Sequence, residues 1–406
     1  MTAATRCSTR PARGAARLWC AAAAAMAATF AAAIDARWGS GPWNAAAGAE
    51  AAPEPAAAAA PGAEPTSPPR IESQQSVLIV LGAPGTDDYD KAFRDWAERW
   101  RAAAHAGGAS FTLLGGDADA AEAANGPPAD DRTRLQQFLA SRAQSDGAAV
   151  PPGDAAAAAD NAAEPAPLWI VLIGHGSFDG EVAKFNLRGP DVALQELAEW
   201  VAPLRGPVAI LNCTSASAPL LNAAAGPNRI VVAATKSGHE VNFARFGQYL
   251  SAAIAAPEAD LDKDGQTSLL EAYLTACRGV AEFYEADQRL ATEHALLDDN
   301  GDGLGTPATW FRGLRATRRA QAGAALDGVR AHQLHLVPSD RELRMPPELR
   351  RRRDELERQI AAERDRKDQL SEEDYYARLE PLLVELARLY ATADPSASAA
   401  PQEENP

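Results

Sequence analysis

The sequence is poor in cysteine, and its few cysteines are unevenly placed. Only four occur in 406 residues, and two of them, Cys7 and Cys20, lie close to the N-terminus. Small exported proteins that are held together by disulfides carry more cysteines, so that class is excluded. Cys213 and Cys277 are too few for a disulfide framework, so at least one of them needs another reason to be present.

Positive charge and long apolar runs are also scarce. The formal net charge is -16, which argues against DNA and anionic membranes as partners, because both repel an acidic protein. Beyond the N-terminal region no stretch is apolar for long enough to span a bilayer. We therefore expect no nucleic-acid partner and, once the N-terminal signal described next is cleaved, no stable membrane span.

Residues 1–33 have the pattern of an export signal. Four arginines between positions 6 and 17 precede an apolar run that ends at Ala33. The run is short and rich in alanine, and its last three alanines offer a cleavage site between small residues. The sequence predicts an exported protein, periplasmic or secreted. An uncleaved N-terminal membrane anchor is the alternative that stays open.

After an Ala/Pro-rich linker, residues 34–75, apolar runs alternate with amphipathic helical patterns. The runs are those of buried strands: 76–82, 109–115, the stretch that ends at His175, 208–212 and 229–235. Helical spacing occupies 87–104, the region around 135–139, 191–202, 217–224 and 243–255, and a low-complexity insert covers 147–167. This alternation predicts an α/β fold, with a mostly parallel sheet covered by helices on both faces.

Two chemically active side chains end neighbouring runs of this pattern. His175 follows "LWIVLIG" and Cys213 follows "VAILN". If the two strands are adjacent, both side chains reach the carboxyl edge of the sheet, where ligands bind in such folds. A cysteine beside a histidine can carry out acyl transfer, with the amides of Gly176 and Cys213 as oxyanion donors. Cys277 lies in a helical pattern and is predicted to be a core residue.

These motifs resemble the caspase-like cysteine peptidases, and within them the legumain and GPI-transamidase branch. The resemblance rests on "IVLIGHG", "HGSFDG" and "VAILNC", and on Ser215 and Ser217 in a Cys-x-Ser-x-Ser pattern. It covers residues 76 to 256. It implies a caspase-like three-layer α/β/α sandwich, a Cys213–His175 dyad that acts on a peptide or protein substrate, and dependence on calcium in several relatives.

The same resemblance implies where substrate binds. The stretch "VVAATKSGHEVNF" is similar to the strand and loop that help to form the specificity pocket. Ser237 and Glu240 of that loop therefore join Ser215 and Ser217 as predicted substrate-binding residues. Legumain has an acidic residue two positions before its cysteine, but this chain has Leu211, so a preference for asparagine does not carry over. Glu240 suggests a basic preference instead.

A separate motif predicts a calcium site. "DLDKDGQTSLLE" matches the twelve-residue EF-hand loop, with Asp260, Asp262 and Asp264 as alternating carboxylates and Gly265 at the turn. Gln266 and Glu271 stand at the remaining ligand positions. An acidic turn that only caps the next helix is the alternative.

A second, less complete loop follows at 298–303. Asp298, Asn300 and Asp302 repeat the first three ligand positions, but Thr309 stands where the bidentate glutamate belongs. This loop is either a weaker second calcium site or a simple turn.

The C-terminal region is helical and charged. Leu349, Leu356 and Ile360 form an apolar stripe, and Ser371 with Asp374 fits a capping box at the start of a second helix. A helical hairpin or short coiled coil over 338–392 is predicted, with the arginine run as a solvated face and the hairpin as a surface for a protein partner.

The predicted organisation has six parts. They are a signal peptide (1–33), a disordered linker (34–75), a caspase-like catalytic domain (76–256), an EF-hand-like extension (257–312), the helical hairpin (338–392) and a disordered tail (393–406). The predicted function is a cysteine endopeptidase or transpeptidase, modulated by Ca²⁺. The alternatives are an inactive calcium-binding scaffold that kept the fold, and a different hydrolase at the same edge of the sheet. An open cleft at His175 and Cys213 would favour the enzyme. A buried Cys213 thiol, or a bridge to Cys277, would favour the scaffold.

Overall fold

The structure is a computed structural model, and it describes residues 74–116, 130–147 and 165–393. The predicted signal peptide, nearly all of the linker and the insert, and the tail beyond residue 393 lie outside the described residues. Among the helices of the described part, none combines the length and the apolar character needed to cross a membrane.

The described residues form strands and helices in the order that the sequence predicts, with several short elements added. The strands are β1 (Ser76–Leu81), β2 (Ser110–Leu114), β3 (Leu168–Ile173), β4 (Gly176–Phe178), β5 (Ala183–Phe185), β6 (Val192–Ala193), β7 (Val208–Asn212), β8 (Arg229–Ala233), β9 (Leu296–Asp298), β10 (Thr306–Pro307), β11 (Phe311–Arg312) and β12 (Arg315–Ala316). The helices, here labelled α1 to α10, are Asp87–Ala106, Asp131–Gly147, Leu194–Val201, Ala218–Ala224, Phe246–Ala253, Leu269–Ala286, Val329–Gln333, Asp340–Arg344, Pro347–Asp365 and Glu372–Ala393.

A seven-stranded sheet forms the centre, in the order β10-β9-β8-β7-β3-β1-β2. The five strands from β2 to β8 in this order run parallel, whereas β9 is antiparallel to β8 and β10 is antiparallel to β9. This confirms the mixed α/β architecture with a mainly parallel sheet. The strand order reverses between β1 and β3, which is where such sheets open a crevice for ligands.

The strands are apolar throughout because both faces of the sheet are covered. On one face α1, α5 and α6 pack against alternate strand residues such as Val171 and Leu211. On the other face α2, α3 and α4 pack against their neighbours, Leu172 and Ile210. Trp100 of α1 is completely buried, and truncating such a side chain to alanine typically costs about 3–5 kcal/mol. The three layers follow from this alternation.

Residues 257–312 belong to the same core rather than forming a separate layer. Helix α6 buries Leu269, Leu270 and Tyr273 against the sheet, and β9 adds Leu297 to the same cluster. The reason is that α6 is apolar on most of its first three turns, so it needs a large surface to cover it. The predicted boundary at 256 therefore falls between two elements that share one core.

The C-terminal helices α9 and α10 form the predicted hairpin. Leu356 lies against Leu389 and Ile360 against Tyr375 and Leu379, so the two helices run antiparallel. The Ser371 hydroxyl accepts the Asp374 amide at 3.1 Å, as the capping pattern predicts.

Candidate functional site

His175 stands just beyond β3 with its ring held from several sides. Its Nε2 lies 3.2 Å from the carbonyl oxygen of Pro84, in the loop that follows β1. Because a carbonyl only accepts, Nε2 carries the proton in this bond, which leaves Nδ1 as the acceptor of the neutral ring. Tyr89, Phe93 and Phe243 surround the imidazole, with ring centroids 4.8 to 5.8 Å from it. The orientation of the imidazole is therefore fixed.

Cys213 directly follows β7 and is buried. It is 1% exposed, and its amide donates to the carbonyl of Leu172 at 3.0 Å. A Cβ placed on Gly247 of α5 would lie only 2.7 Å from Cβ of Cys213, so only glycine fits here. Burial, and to a lesser extent the carboxylate of Glu293, raise the pKa of the Cys213 thiol to about 12. In this conformation the thiol is neutral and covered.

The two residues lie on one face of the sheet, at the ends of adjacent strands. Strands β3 and β7 pair in parallel up to Leu172 and Asn212, which confirms that they are neighbours. Cys213 belongs to the core cluster beneath α1, and α1 supplies the Phe93 ring that contacts His175. The adjacency of the two strands was thus predicted from the sequence, whereas the common face and the depth of the thiol were not. Cys213 and Cys277 are both free, so no bridge joins them.

Both amides predicted to bind an oxyanion are occupied. The Gly176 amide donates to Oγ of Ser215 at 3.2 Å, and that hydroxyl donates back to the Gly176 carbonyl at 3.1 Å. A Cβ on Gly176 would lie 2.0 Å from the Ser215 carbonyl oxygen, so the close approach requires glycine. The Cys213 amide remains in the strand ladder. An oxyanion hole at this edge needs a rearrangement of Ser215 and of the chain after β7.

The other predicted substrate-binding residues also have internal partners. Ser217 is buried and bonded to Thr235, and the Ser237 carbonyl accepts from the same threonine hydroxyl. The Glu240 carboxylate accepts from the Lys236 amide at 2.9 Å, and from the amide and Nδ1 of His294 at 3.2 and 2.5 Å. The side chains of Ser217 and Glu240 and the carbonyl of Ser237 are thus engaged by the protein itself.

The first acidic loop brings three carboxylates together. One oxygen from each of Asp260, Asp262 and Asp264 lies within 4.8 Å of the others. The Asp260 carboxylate accepts the amides of residues 263 to 265, which wraps the loop around it. Glu271 is buried and accepts the amides of Leu261, Asp262 and Ser268. Glu271 is not one of the three clustered carboxylates, and with Ser268 it forms a capping box at the start of α6. The clustered donors are all oxygens, the set that a hard cation such as Ca²⁺ prefers.

The second acidic loop repeats the hydrogen bonds of the first. Asp298 accepts the amides three and five residues later, at 2.8 Å each, just as Asp260 does at 2.7 and 3.1 Å. Asn300 accepts from Asp302, as Asp262 does from Asp264. Oδ2 of Asp302 is buried without a hydrogen-bond partner among the described residues. A cation at this loop would satisfy that oxygen, so the donor set fits.

The short helix α7 lies between the two loops. Asp299 of the second loop accepts the amides of Gly328 and Ala331, both at 2.8 Å. Nε2 of His332 lies 3.0 Å from Asp262 of the first loop. The next residue, Gln333, donates to Glu357 of the hairpin at 3.0 Å. These contacts could not be predicted from the sequence because they join residues that are far apart in the chain.

The chain is similar to two insect caspases of known structure. The crystal structure of the Drosophila initiator caspase Dronc matches with a TM-score of 0.33 and 11% identity, over 58% of this chain and 82% of that chain. The crystal structure of caspase-1 from Spodoptera frugiperda matches with a TM-score of 0.33 and 11% identity, over 56% of this chain and 87% of that chain. No protein-family model and no curated protein matches the sequence. A TM-score of 0.33 decides neither fold nor function, so the fold class rests on the layers and strand order described above, which are consistent with the predicted caspase-like sandwich.

Proposed function

We propose that this protein is a cysteine peptidase of the caspase-like type, closest to the legumain and GPI-transamidase branch, and latent in the conformation described. The observation that carries the proposal is the placement of His175 and Cys213 on one face, at the carboxyl ends of the adjacent parallel strands β3 and β7. This is the edge of the sheet at which such folds bind ligands. The Pro84 carbonyl supports it by fixing the orientation of the imidazole.

In the proposed reaction Cys213 attacks a peptide carbonyl and forms a thioester. Nδ1 of His175, the ring nitrogen that does not donate to Pro84, takes the proton of the Cys213 thiol and passes it to the leaving amine. Water then hydrolyses the thioester, and attack by another amine would make the protein a transpeptidase. At a pKa of about 12 only roughly one thiol in 10⁵ is ionised at pH 7. Activity therefore requires the thiol to become exposed, which lowers its pKa.

The test is covalent labelling with a peptidyl acyloxymethyl ketone, which alkylates an activated cysteine in a substrate cleft. We expect labelling of the parent chain that Cys213→Ala abolishes and His175→Ala reduces by at least about a hundredfold, since general acid–base groups contribute 10²–10⁴. Cys277→Ala is the matched control and should label like the parent. Labelling that persists in Cys213→Ala would refute the proposed nucleophile.

We further propose that Ca²⁺ binds the first acidic loop through Asp260, Asp262, Asp264, the Gln266 carbonyl and Glu271. Asp298, Asn300 and Asp302 form a second, weaker site. The clustered oxygens of the first loop and the unpartnered oxygen of Asp302 support this. A bound Ca²⁺ supplies positive charge that neutralises the carboxylates. Calorimetric titration should detect binding that Asp264→Asn weakens, whereas Asp374→Asn in the hairpin should not.

A second function, a non-catalytic calcium-binding scaffold, is favoured by one observation. The Cys213 thiol is buried and both predicted oxyanion amides are engaged. In that case the hairpin of α9 and α10 would be the partner surface. The scaffold predicts calcium binding without labelling of Cys213 at any calcium concentration, and the peptidase predicts labelling.

We also propose that the protein is exported and that its signal is cleaved after the alanine run ending at Ala33. Four arginines ahead of that run support this. N-terminal sequencing of the protein from the producing cells tests it. A mature chain beginning near residue 34 is expected, and a chain that keeps its N-terminus in the membrane fraction would point to an anchor.

A further inference from the structure

Residues 236–245, here called the covering loop, lie over the candidate site between β8 and α5. Phe243 of this loop contacts the His175 ring, at 5.8 Å between centroids. The loop leads into α5, whose Gly247 is pressed against Cys213. The covering loop and the start of α5 thus form one continuous segment that contacts the half-buried His175 and the buried Cys213.

Two consecutive residues of a distant segment hold this loop, one at its middle and one at its C-terminal end. Glu293 is 3% exposed, and its carboxylate accepts the amides of Arg245 and Phe246 at 2.8 to 2.9 Å. His294 donates its amide and Nδ1 to the carboxylate of Glu240. These contacts bridge about fifty residues of sequence, and they bind the covering loop to the segment between α6 and β9.

The two holding points differ in depth. Glu293 is buried and also accepts from the Tyr284 hydroxyl at 3.2 Å, so several hydrogen bonds hold its carboxylate in place. The His294 side chain is 42% exposed and meets Glu240 at the surface. Between these points Val241 is 55% exposed, so the middle of the loop has little covering of its own. The contact between His294 and Glu240 is thus the part that can release first.

We propose that Glu293 and His294 form a latch that keeps the covering loop and the start of α5 closed over His175 and Cys213, with release at His294 as the first step toward exposure of the thiol. The latch is a property of the fold, and its role as regulation of a peptidase rests on the proposed function. After His294 releases Glu240, the bond from the Ala216 amide to the Glu240 carbonyl and the bonds of Glu293 to Arg245 and Phe246 still hold the segment. With fewer bonds to break, the start of α5, whose Gly247 lies against Cys213, opens more often.

The experiment measures how fast iodoacetamide alkylates each cysteine of the full chain. Cleavage after Lys and Arg places Cys213 and Cys277 in separate peptides, so mass spectrometry follows the two rates independently. Cys277 lies in α6, outside the covering loop, and reports on general loosening of the structure. The variants are His294→Ala, Glu293→Gln and the double variant. Thr292→Val is the control, because it removes a hydrogen bond to Tyr284 in the same segment but none to the loop.

We expect His294→Ala to raise the alkylation rate of Cys213 by at least about tenfold, because a buried thiol reacts in proportion to its open population. Cys277 and the Thr292→Val control should keep their parent rates. If Cys213 reacts no faster in His294→Ala, or if both cysteines accelerate together, the latch is refuted. The half-exposed His294 decides the matter even if Glu293→Gln fails to fold.

Labelling with the acyloxymethyl ketone separates this inference from the proposed function. If iodoacetamide reacts faster in His294→Ala and the ketone labels no variant, the result supports the latch and refutes the proposed peptidase activity. If the ketone labels the parent and His294→Ala at the same rate, the result supports the proposed peptidase activity and refutes the latch.

Discussion

The amide of Gly176 and the hydroxyl of Ser215 are joined by a reciprocal pair of hydrogen bonds, at 3.2 and 3.1 Å. The serine that sequence resemblance assigns to substrate binding thus occupies the amide that would stabilise an oxyanion. Substrate and Ser215 compete for the same donor, so the closed conformation disfavours catalysis at this point as well as at the thiol.

Ser215→Ala should therefore distinguish the contribution of the hydroxyl to stability from any contribution to the reaction of Cys213. The loss of both bonds should lower the free energy of unfolding by about 1–2 kcal/mol, the usual worth of such interactions, as measured by urea denaturation. Labelling by the ketone should not slow, because the Gly176 amide becomes available. A large drop in labelling with the fold intact would instead make the hydroxyl part of the site.

The thiol of Cys213 should stay protonated far into the alkaline range. Burial raises its pKa to about 12, so the difference in thiolate ultraviolet absorbance between parent and Cys213→Ala should stay flat up to about pH 10. A step between pH 5 and 8 would show an activated thiolate and contradict the closed conformation. Because the unfolded thiol ionises near pH 8.5, its contribution to stability is complete below that pH and is lost as the pH rises toward 12.

Glu240 should not select basic substrates while it is held by Lys236 and His294. We expect Glu240→Gln to change the labelling rates of an arginine-containing and a neutral ketone probe by the same factor, because its carboxylate is already engaged. Both rates should rise, since the substitution also weakens the latch. A rate that falls only for the basic probe would restore Glu240 to the specificity pocket.

Two adjacent arginines of α9 should differ in their effect on stability. Arg353 is 8% exposed and pairs with Glu342 and Asp354, so Arg353→Met leaves two partly buried carboxylates without this partner and should cost about 3 kcal/mol. Arg352 pairs with Glu355 and Glu385 at the surface, and Arg352→Met should cost less than about 1 kcal/mol. Urea denaturation of both variants tests this, and equal losses would contradict it.

The central sheet could be predicted because its strands are continuous apolar runs. Such runs require burial on both faces. Because His175 and Cys213 come at the ends of two runs, their position at the edge of the sheet could be predicted as well. Strands β4 to β6 could not be predicted because they are only two or three residues long, and β4 and β5 mix polar with apolar side chains. The orientation of His175 depends on the Pro84 carbonyl, a backbone group that residue types do not reveal.

The depth of Cys213 could not be predicted for a related reason. It depends on Gly247 and on the two residues that hold the covering loop, Glu293 and His294, which lie far away in the sequence. The acidic loops were visible because their spacing is local. Their common link through Asp299 and α7 was not, because hydrogen bonds to backbone amides leave no pattern in the side chains.

Helix α7 also determines how far the chain can be shortened. A truncated chain that ends at residue 312 would deprive Asp299 of the Gly328 and Ala331 amides, and leave a carboxylate that is 3% exposed without two of its donors. Leaving a buried polar group without its partners costs about 1–3 kcal/mol. That is a large share of the total free energy of unfolding of a domain, which is about 5–15 kcal/mol. The sheet with its second acidic loop thus depends on α7, and we expect a minimal functional piece of this protein to run through α7.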